Sequence, residues 1–150
     1  MIPSRLLFAS LLAAALLAAP RPTLAAPQAH GGSSVDLGLG ADYLLDPGAG
    51  AFQLTLGGRT GLARHLSVGG RAGVLLLTQP GRVGVPLDAE LRGHFGRVYV
   101  DGLVGPWIVD GLRFHGAVGV GLATAGVHAG LEVGWLDGRS MLGLRIALPL

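Results

Sequence analysis

The chain has 150 residues, half of them hydrophobic, with 27 glycines, no cysteine and only 13% charged residues. The missing cysteines exclude a disulfide scaffold and thiolate chemistry, and the missing three-residue glycine period excludes a collagen-like fibre. The basic residues are all arginine, and Arg5 and Arg21 lie in a segment that we expect to be removed, which leaves a nearly neutral chain. Without a basic cluster, nucleic-acid binding is not expected.

The N-terminal stretch has the layout of a secretory signal peptide. Arg5 is followed by an apolar run over residues 6–19, Pro20 ends that run, and Thr23 to Ala25 supplies small residues for cleavage. A membrane anchor is the alternative, but the run is shorter than the roughly 20 residues that a membrane-spanning helix needs. We therefore predict a signal peptide at residues 1–25 and a flexible leader at residues 26–34.

The rest of the chain alternates between apolar residues and small or charged residues, which is the period of a β-strand with two different faces. Turn signals such as Asp110-Gly111 and Asp137-Gly138 separate the segments. Eight strands are predicted, at residues 35–45, 52–60, 65–77, 83–95, 98–109, 112–124, 127–136 and 139–150. Because all seven connections are short, an all-β, antiparallel up-and-down barrel is expected over residues 35–150.

The two faces of these strands decide which kind of barrel forms. One face is oily; the other is rich in glycine, with scattered Arg, Asp, Glu and His. The second face would make a poor aqueous surface, but it suits the narrow lumen of an eight-stranded barrel. Strands of this length, tilted by roughly 45°, also span an outer-membrane hydrocarbon layer. A transmembrane barrel is therefore predicted, and a secreted soluble barrel binding an apolar ligand is the alternative.

The register of each hairpin shows which lumenal residues lie opposite one another, because the numbers of paired residues add up to the same sum along the hairpin. A two-residue turn at Pro80-Gly81 would pair Arg71 with Glu90. A two-residue turn at Gly96-Arg97 would pair Arg92 with Asp101. Arg145 has Glu132 as a diagonal neighbour, with Asp36 and Asp42 on the first strand across the barrel closure. The predicted lumenal charge network is Arg71, Glu90, Arg92, Asp101, Glu132 and Arg145, and we expect it to fill the lumen without leaving an open channel.

Two prolines, Pro86 and Pro106, interrupt strand segments, and Pro cannot donate a hydrogen bond to the ladder. Bulging or fraying is therefore expected near the rim that carries the turns at Asp46, Pro80, Asp110 and Asp137. The pattern leaves the facing of Trp107 open.

No combination of residues indicates catalysis or metal binding. His94, His115 and His128 share the lumenal parity, but they lie on different strands and at different ends, so no convergent metal site is expected. Ser67, which follows His65 by two residues, and Ser140 are the possible serine nucleophiles, and nothing specific marks either of them as catalytic. We therefore predict a protein that is not an enzyme and that needs no cofactor.

The signal peptide, the eight strands and an oily C-terminal strand together resemble the small outer-membrane β-barrel families of Gram-negative bacteria. The closing strand resembles the assembly signal of such proteins, here Gly143, Ile146, Leu148 and the terminal Leu150. These families usually end in an aromatic residue, and Leu150 departs from that pattern. The resemblance implies two partners, outer-membrane lipid and the barrel-insertion machinery.

Short outward turns leave little surface for adhesion. The predicted function is therefore a structural, membrane-integrity role in the outer membrane. Porin-like transport of a small solute, through a gated pore, is the first alternative.

Overall fold

The computed structural model describes residues 32–46 and 48–150. The predicted signal peptide at residues 1–25 and most of the predicted leader lie outside these ranges. The strands are β1 (Ser33–Leu44), β2 (Ala49–Ala63), β3 (Leu66–Thr78), β4 (Gly81–Phe95), β5 (Val98–Ile108), β6 (Leu112–Ala123), β7 (His128–Leu136) and β8 (Arg139–Pro149). β1 begins two residues before the predicted start at Val35. Within the two described ranges, no helix is long and apolar enough to cross a membrane.

The eight strands form one closed antiparallel barrel in sequence order, and β8 pairs with β1 to close it. This confirms the predicted fold. The strands are tilted: stepping across directly paired residues from Ser33 on β1 leads once round the barrel to Tyr43, ten residues further along the same strand. This offset of ten residues is the shear of the barrel. In an eight-stranded barrel it goes with a strand tilt of roughly 35–45° and a narrow interior that side chains can fill.

The apolar face of every strand points outward. Phe95 is 66% exposed and Leu144 is 49% exposed, whereas the inward Glu132 and Asp101 are each 4% exposed. A soluble barrel needs the reverse arrangement, with charged side chains outside and apolar side chains within. The structure therefore contradicts the alternative of a soluble barrel with an apolar interior.

The register between β3 and β4 differs from the predicted one. Thr78 pairs with Gly81, so the two-residue turn is Gln79-Pro80 and not Pro80-Gly81. Moving a turn by one residue shifts the pairing by two residues, which keeps the same face inward. Arg71 therefore lies opposite Asp88, and the predicted pairing of Arg71 with Glu90 is wrong.

The backbone pairing is interrupted at the two prolines, as expected from their missing N–H groups. Between β4 and β5 the recorded pairs stop at Pro86–Trp107 and resume at Ala89–Val104. Pro86 is buried on the lumenal side, while Pro106 faces outward. Trp107 points into the lumen and is fully buried, which answers the question that the sequence left open.

Candidate functional site

The lumen is the candidate site, because it holds nearly all of the buried polar and charged side chains of the described residues. We call the end of the barrel that carries Ser33 and Leu150 the terminal end, and the opposite end the far end. From the far end to the terminal end the lumen contains three layers: an apolar plug, a central network of charged residues, and a lower network of charged residues.

The apolar plug closes the far end. Its members are buried side chains at the far ends of six strands and just beyond: Leu44, Ala49, Ala51, Leu75, Leu77, Trp107, Val109, Leu136 and Met141. The ring of His115 stacks on Trp107 with 4.3 Å between the ring centroids, so the plug joins the polar layer below it. Apolar side chains of this kind offer water no hydrogen-bond partner at the far mouth of the lumen.

The central network alternates acidic and basic side chains. Arg145 Nη2 lies 2.8 Å from Asp42 Oδ1 and 3.0 Å from Glu132 Oε2. Arg71 contacts the same glutamate, with 2.9 Å between Nη1 and Oε1, and its Nε donates to Asp88 Oδ2 at 3.0 Å. Each arginine therefore bridges two carboxylates, and Glu132 joins the two arginines.

Gln53, Trp107 and His115 complete the two ends of this central network. Gln53 Nε2 donates to Asp42 Oδ2 at 2.6 Å. At the other end Trp107 Nε1 donates to Asp88 Oδ1 at 3.2 Å, and His115 Nδ1 lies 2.7 Å from the same oxygen. These contacts matter because a buried carboxylate is strongly destabilising unless several donors replace its lost hydration.

The lower network repeats the same pattern nearer the terminal end. Arg59 lies between Asp36, with 2.6 Å between Nη2 and Oδ2, and Glu90, with 3.2 Å between Nη1 and Oε1. Arg92 lies between Glu90 at 2.9 Å and Asp101 at 2.8 Å. The guanidinium of Arg92 also lies 3.9 Å above the ring centroid of Tyr99, a cation–π geometry.

Inward glycines provide the space that these long side chains need. A Cβ added at Gly40 would meet Arg145 Nη1 at 2.3 Å, so Arg145 lies across β1 to reach Asp42. A Cβ at Gly69 would meet Arg59 Cγ at 2.7 Å, so Arg59 crosses β3 to reach Glu90 on β4. The charge networks therefore depend on the high glycine content of the lumenal face.

The six residues of the predicted charge network all point into the lumen, but the structure divides them between two networks. Arg71, Glu132 and Arg145 belong to the central network, and Glu90, Arg92 and Asp101 belong to the lower one. Asp42 contacts Arg145 across the barrel closure, as the sequence indicated, whereas Asp36 contacts Arg59. The predicted network lacked Arg59 and Asp88, because Arg59 reaches Glu90 over β3 and because the shifted turn between β3 and β4 sets Asp88 opposite Arg71.

The three lumenal histidines do not converge. His115 lies in the far half against Asp88, while His94 Nε2 lies 3.1 Å from Ser67 Oγ near the terminal end. His128 lies 6.2 Å from Tyr99 between ring centroids. Among residues 32–46 and 48–150, no group of three or more His, Cys, Asp or Glu side chains could hold a metal ion.

The contact between Ser67 and His94 is the nearest approach to a nucleophile and base. Among residues 32–46 and 48–150, no acidic side chain forms a hydrogen bond with His94, so none orients its ring for catalysis. Ser140, the other candidate nucleophile, is exposed near the turn between β7 and β8, far from this pair.

The residues of the predicted assembly signal lie along β8 and just after it. Gly143 points into the lumen, where an added Cβ would meet Asp42 Oδ1 at 2.2 Å. Ile146 and Leu148 face outward and pair with Leu39 and Leu37 of β1. Leu150 is 77% exposed, and its backbone N–H donates to the carbonyl oxygen of Val35 at 2.9 Å.

Comparison with protein-family models and with curated proteins finds no match. Among solved structures, the chain is similar to one described as "De novo design of transmembrane beta-barrels", with a TM-score of 0.63 and 11% identity, covering 83% of this chain and all of that chain. It also matches a KdgM porin with a TM-score of 0.43 and 9% identity, covering 77% of this chain and 98% of the porin. At this identity the designed barrel shows the fold alone, which is that of an eight-stranded transmembrane β-barrel.

Proposed function

We propose that the chain is an outer-membrane β-barrel protein with a closed lumen and a structural, membrane-integrity role. One observation carries the proposal: the large apolar side chains are outside and the charged side chains are buried within. Leu54, Leu56 and Val118, for example, are each about half exposed or more. Such a surface is stable against lipid and would be an aggregation site in water.

The dimensions of the barrel support insertion in a membrane. Its strands have 9 to 15 residues. At roughly 3.3 Å per residue and a tilt near 45°, the longer strands cross the outward apolar band of about 25 Å that outer-membrane barrels present. Closure also leaves no unpaired sheet edge for the hydrocarbon layer, where each unsatisfied backbone group is expensive.

The contents of the lumen support a structural role over transport. A solute pathway needs polar groups that can exchange partners with the solute, together with continuous space. Here the carboxylates of the two networks are engaged by arginines, and the apolar plug covers the far mouth. We propose accordingly that the protein has no enzymatic activity and no steady conductance.

Two partners belong to this proposal, outer-membrane lipid and the barrel-insertion machinery. β8 offers the machinery an outward apolar row that includes Ile146 and Leu148, with Gly143 on its inner face. Leu150 follows the strand as an exposed apolar side chain at the position where an aromatic residue is usual in the families that the sequence resembles.

Fractionation and electrophysiology test the proposal together. The protein should be recovered from detergent-extracted outer membrane as a band whose gel mobility changes on heating, because folded barrels resist denaturation by detergent. Recovery from the soluble periplasm would refute the membrane assignment. In planar bilayers the folded protein should show no steady conductance, whereas large stable conductance would refute the closed lumen and favour a pore.

A further inference from the structure

The rim at the terminal end carries basic side chains in its turns. Arg64 and His65 form the turn between β2 and β3, and Arg97 lies in the turn between β4 and β5; all three are exposed. His94 and His128 are half-buried beside them. We call Arg64, His65, His94 and Arg97 the basic arc.

The basic arc is continuous along one side of this rim. The backbone N–H of His94 donates to the carbonyl oxygen of His65 at 2.8 Å, which joins the first two turns. The N–H of Ala123 donates to the carbonyl oxygen of Arg97 at 2.7 Å, which joins the arc to the end of β6. These hydrogen bonds fix the backbone of the turns that carry Arg64 and Arg97.

No acidic group neutralises this arc within residues 32–46 and 48–150. The lumenal carboxylates toward this end, Asp36, Glu90 and Asp101, are already bound by lumenal arginines. Arg64 and Arg97 form no ion pair among the described residues. The basic arc therefore presents uncompensated positive charge to whatever faces this rim.

The far rim carries three arginines, Arg82, Arg113 and Arg139, and three aspartates, Asp46, Asp110 and Asp137, so its side-chain charges balance. Arg82 forms an ion pair with Asp110, and Arg113 forms one with Asp137, with 3.5 Å between Nη1 and Oδ2. Three of the four turns between strands on that rim contain an aspartate, the exception being Gln79-Pro80, and two of these aspartates, Asp110 and Asp137, have a positive φ. The two rims thus differ in free charge although each carries exposed arginines.

The arginines of the basic arc lie at the edge of the outward apolar belt. Arg64 lies between Leu62 and Leu66 in the chain, which are 60% and 37% exposed. Arg97 lies just beyond Phe95, which is 66% exposed. If the belt is in hydrocarbon, the guanidinium groups are at headgroup depth, where long basic side chains extend toward lipid phosphates.

We propose that the basic arc binds the phosphate groups of anionic phospholipid in the leaflet that meets the terminal end. The inference rests on the proposed function, because it requires the barrel to be inserted in a membrane. Lipid phosphate fits better than a soluble anion, since the arginines adjoin exposed Leu62 and Phe95, which an acyl chain would cover.

The test uses folded protein in nanodiscs containing equal phosphatidylglycerol and phosphatidylcholine, with retained lipids counted by native mass spectrometry. Heat-modifiable gel mobility first shows whether each sample has folded and inserted. The wild-type protein should retain phosphatidylglycerol in preference to phosphatidylcholine. In Arg64→Gln/Arg97→Gln that preference should fall by about fivefold for each arginine removed.

Arg82→Gln/Arg139→Gln is the matched control, since it makes the same charge change on exposed arginines of the far rim and should keep the preference. If the terminal-rim double variant does not fold, the single variants Arg64→Gln and Arg97→Gln each give the same comparison. Equal retention of the two lipids by wild-type protein, or a loss confined to the far-rim control, would overturn the inference. Absence of a heat-modifiable band in wild-type samples would instead refute the proposed function.

Discussion

A close approach between two neighbouring strands gives a sharp prediction about how this barrel holds together. Gly73 faces the lumen on β3, and a Cβ added there would lie 2.0 Å from the carbonyl oxygen of Leu54 and 2.7 Å from Thr55 Cα. Both atoms belong to the backbone of β2, which is paired with β3 without interruption on either side of this point. Gly73→Ala therefore cannot be relieved by turning a side chain, and the two strands must separate locally.

Gly58 provides a control in the same hairpin. It faces outward, and a Cβ added there meets nothing within 4 Å. Overpacking of this kind destabilises a protein by about 1–3 kcal/mol. Replacing a strand glycine by alanine in open space instead stabilises by roughly 0.5–1 kcal/mol, because the unfolded chain loses freedom. The free energy of unfolding should therefore fall in Gly73→Ala and should not fall in Gly58→Ala.

Equilibrium unfolding by urea in lipid vesicles measures the difference, with Trp135 as a reporter because its side chain is half exposed toward lipid. Gly73→Ala should lower the free energy of unfolding and Gly58→Ala should leave it unchanged or raise it. Equal stability of the two variants would refute the reasoning, since it would mean that β2 and β3 can move apart there at no cost.

Three further predictions concern the lumen and the closing strand. Arg71→Met should lower the free energy of unfolding by about 3–5 kcal/mol, because it leaves buried carboxylates uncompensated. The control, Arg82→Met at an exposed ion pair, should lower it by less than about 1 kcal/mol. Similar urea midpoints for the two variants would contradict this prediction. Trp107→Ala should lower the free energy of unfolding by about 3–5 kcal/mol, because it opens a cavity in the apolar plug. The variant should still show no steady conductance in planar bilayers, because both charge networks remain. A stable pore would show that the apolar plug alone closes the lumen. Leu150→Phe should leave insertion into outer membrane, measured by the heat-modifiable fraction, unchanged or improved, and a clear loss would argue against β8 as the recognised end.

Strand number and facing were predictable because residue alternation reports them directly. Register was predictable only where the turn position was unambiguous. Gly96-Arg97 is the turn that the sequence indicated, and Arg92 lies opposite Asp101. At Gln79-Pro80 the turn lies one residue earlier than indicated, and the resulting shift of two residues preserves the facing of every side chain. The hydrophobic pattern cannot distinguish registers that differ by two.

Contacts across the lumen could not be predicted from any single hairpin. Arg59 reaches Glu90 over an intervening strand, and Arg71 reaches Glu132 from β3 to β7. Such contacts depend on the shear and curvature of the closed barrel, which are set by all eight registers at once. The sequence showed that these side chains face inward and that buried charges must be paired, but not that Arg59 would meet Glu90 or that Arg71 would meet Glu132.

These cross-lumen contacts bear on function because they link strands that no backbone ladder connects. Arg59 links β2 to β4, and Arg71 links β3 to β7. Arg145 on β8 binds carboxylates of both β1 and β7 and so links those two strands. An apolar interior could fill the same space, but its contacts would tolerate a shift of register by two residues. Charged pairs do not, because a two-residue shift moves a carboxylate by roughly 6–7 Å and leaves it buried without a partner. The lumen is therefore better suited to fixing one closed register than to passing a solute, and this favours a structural role.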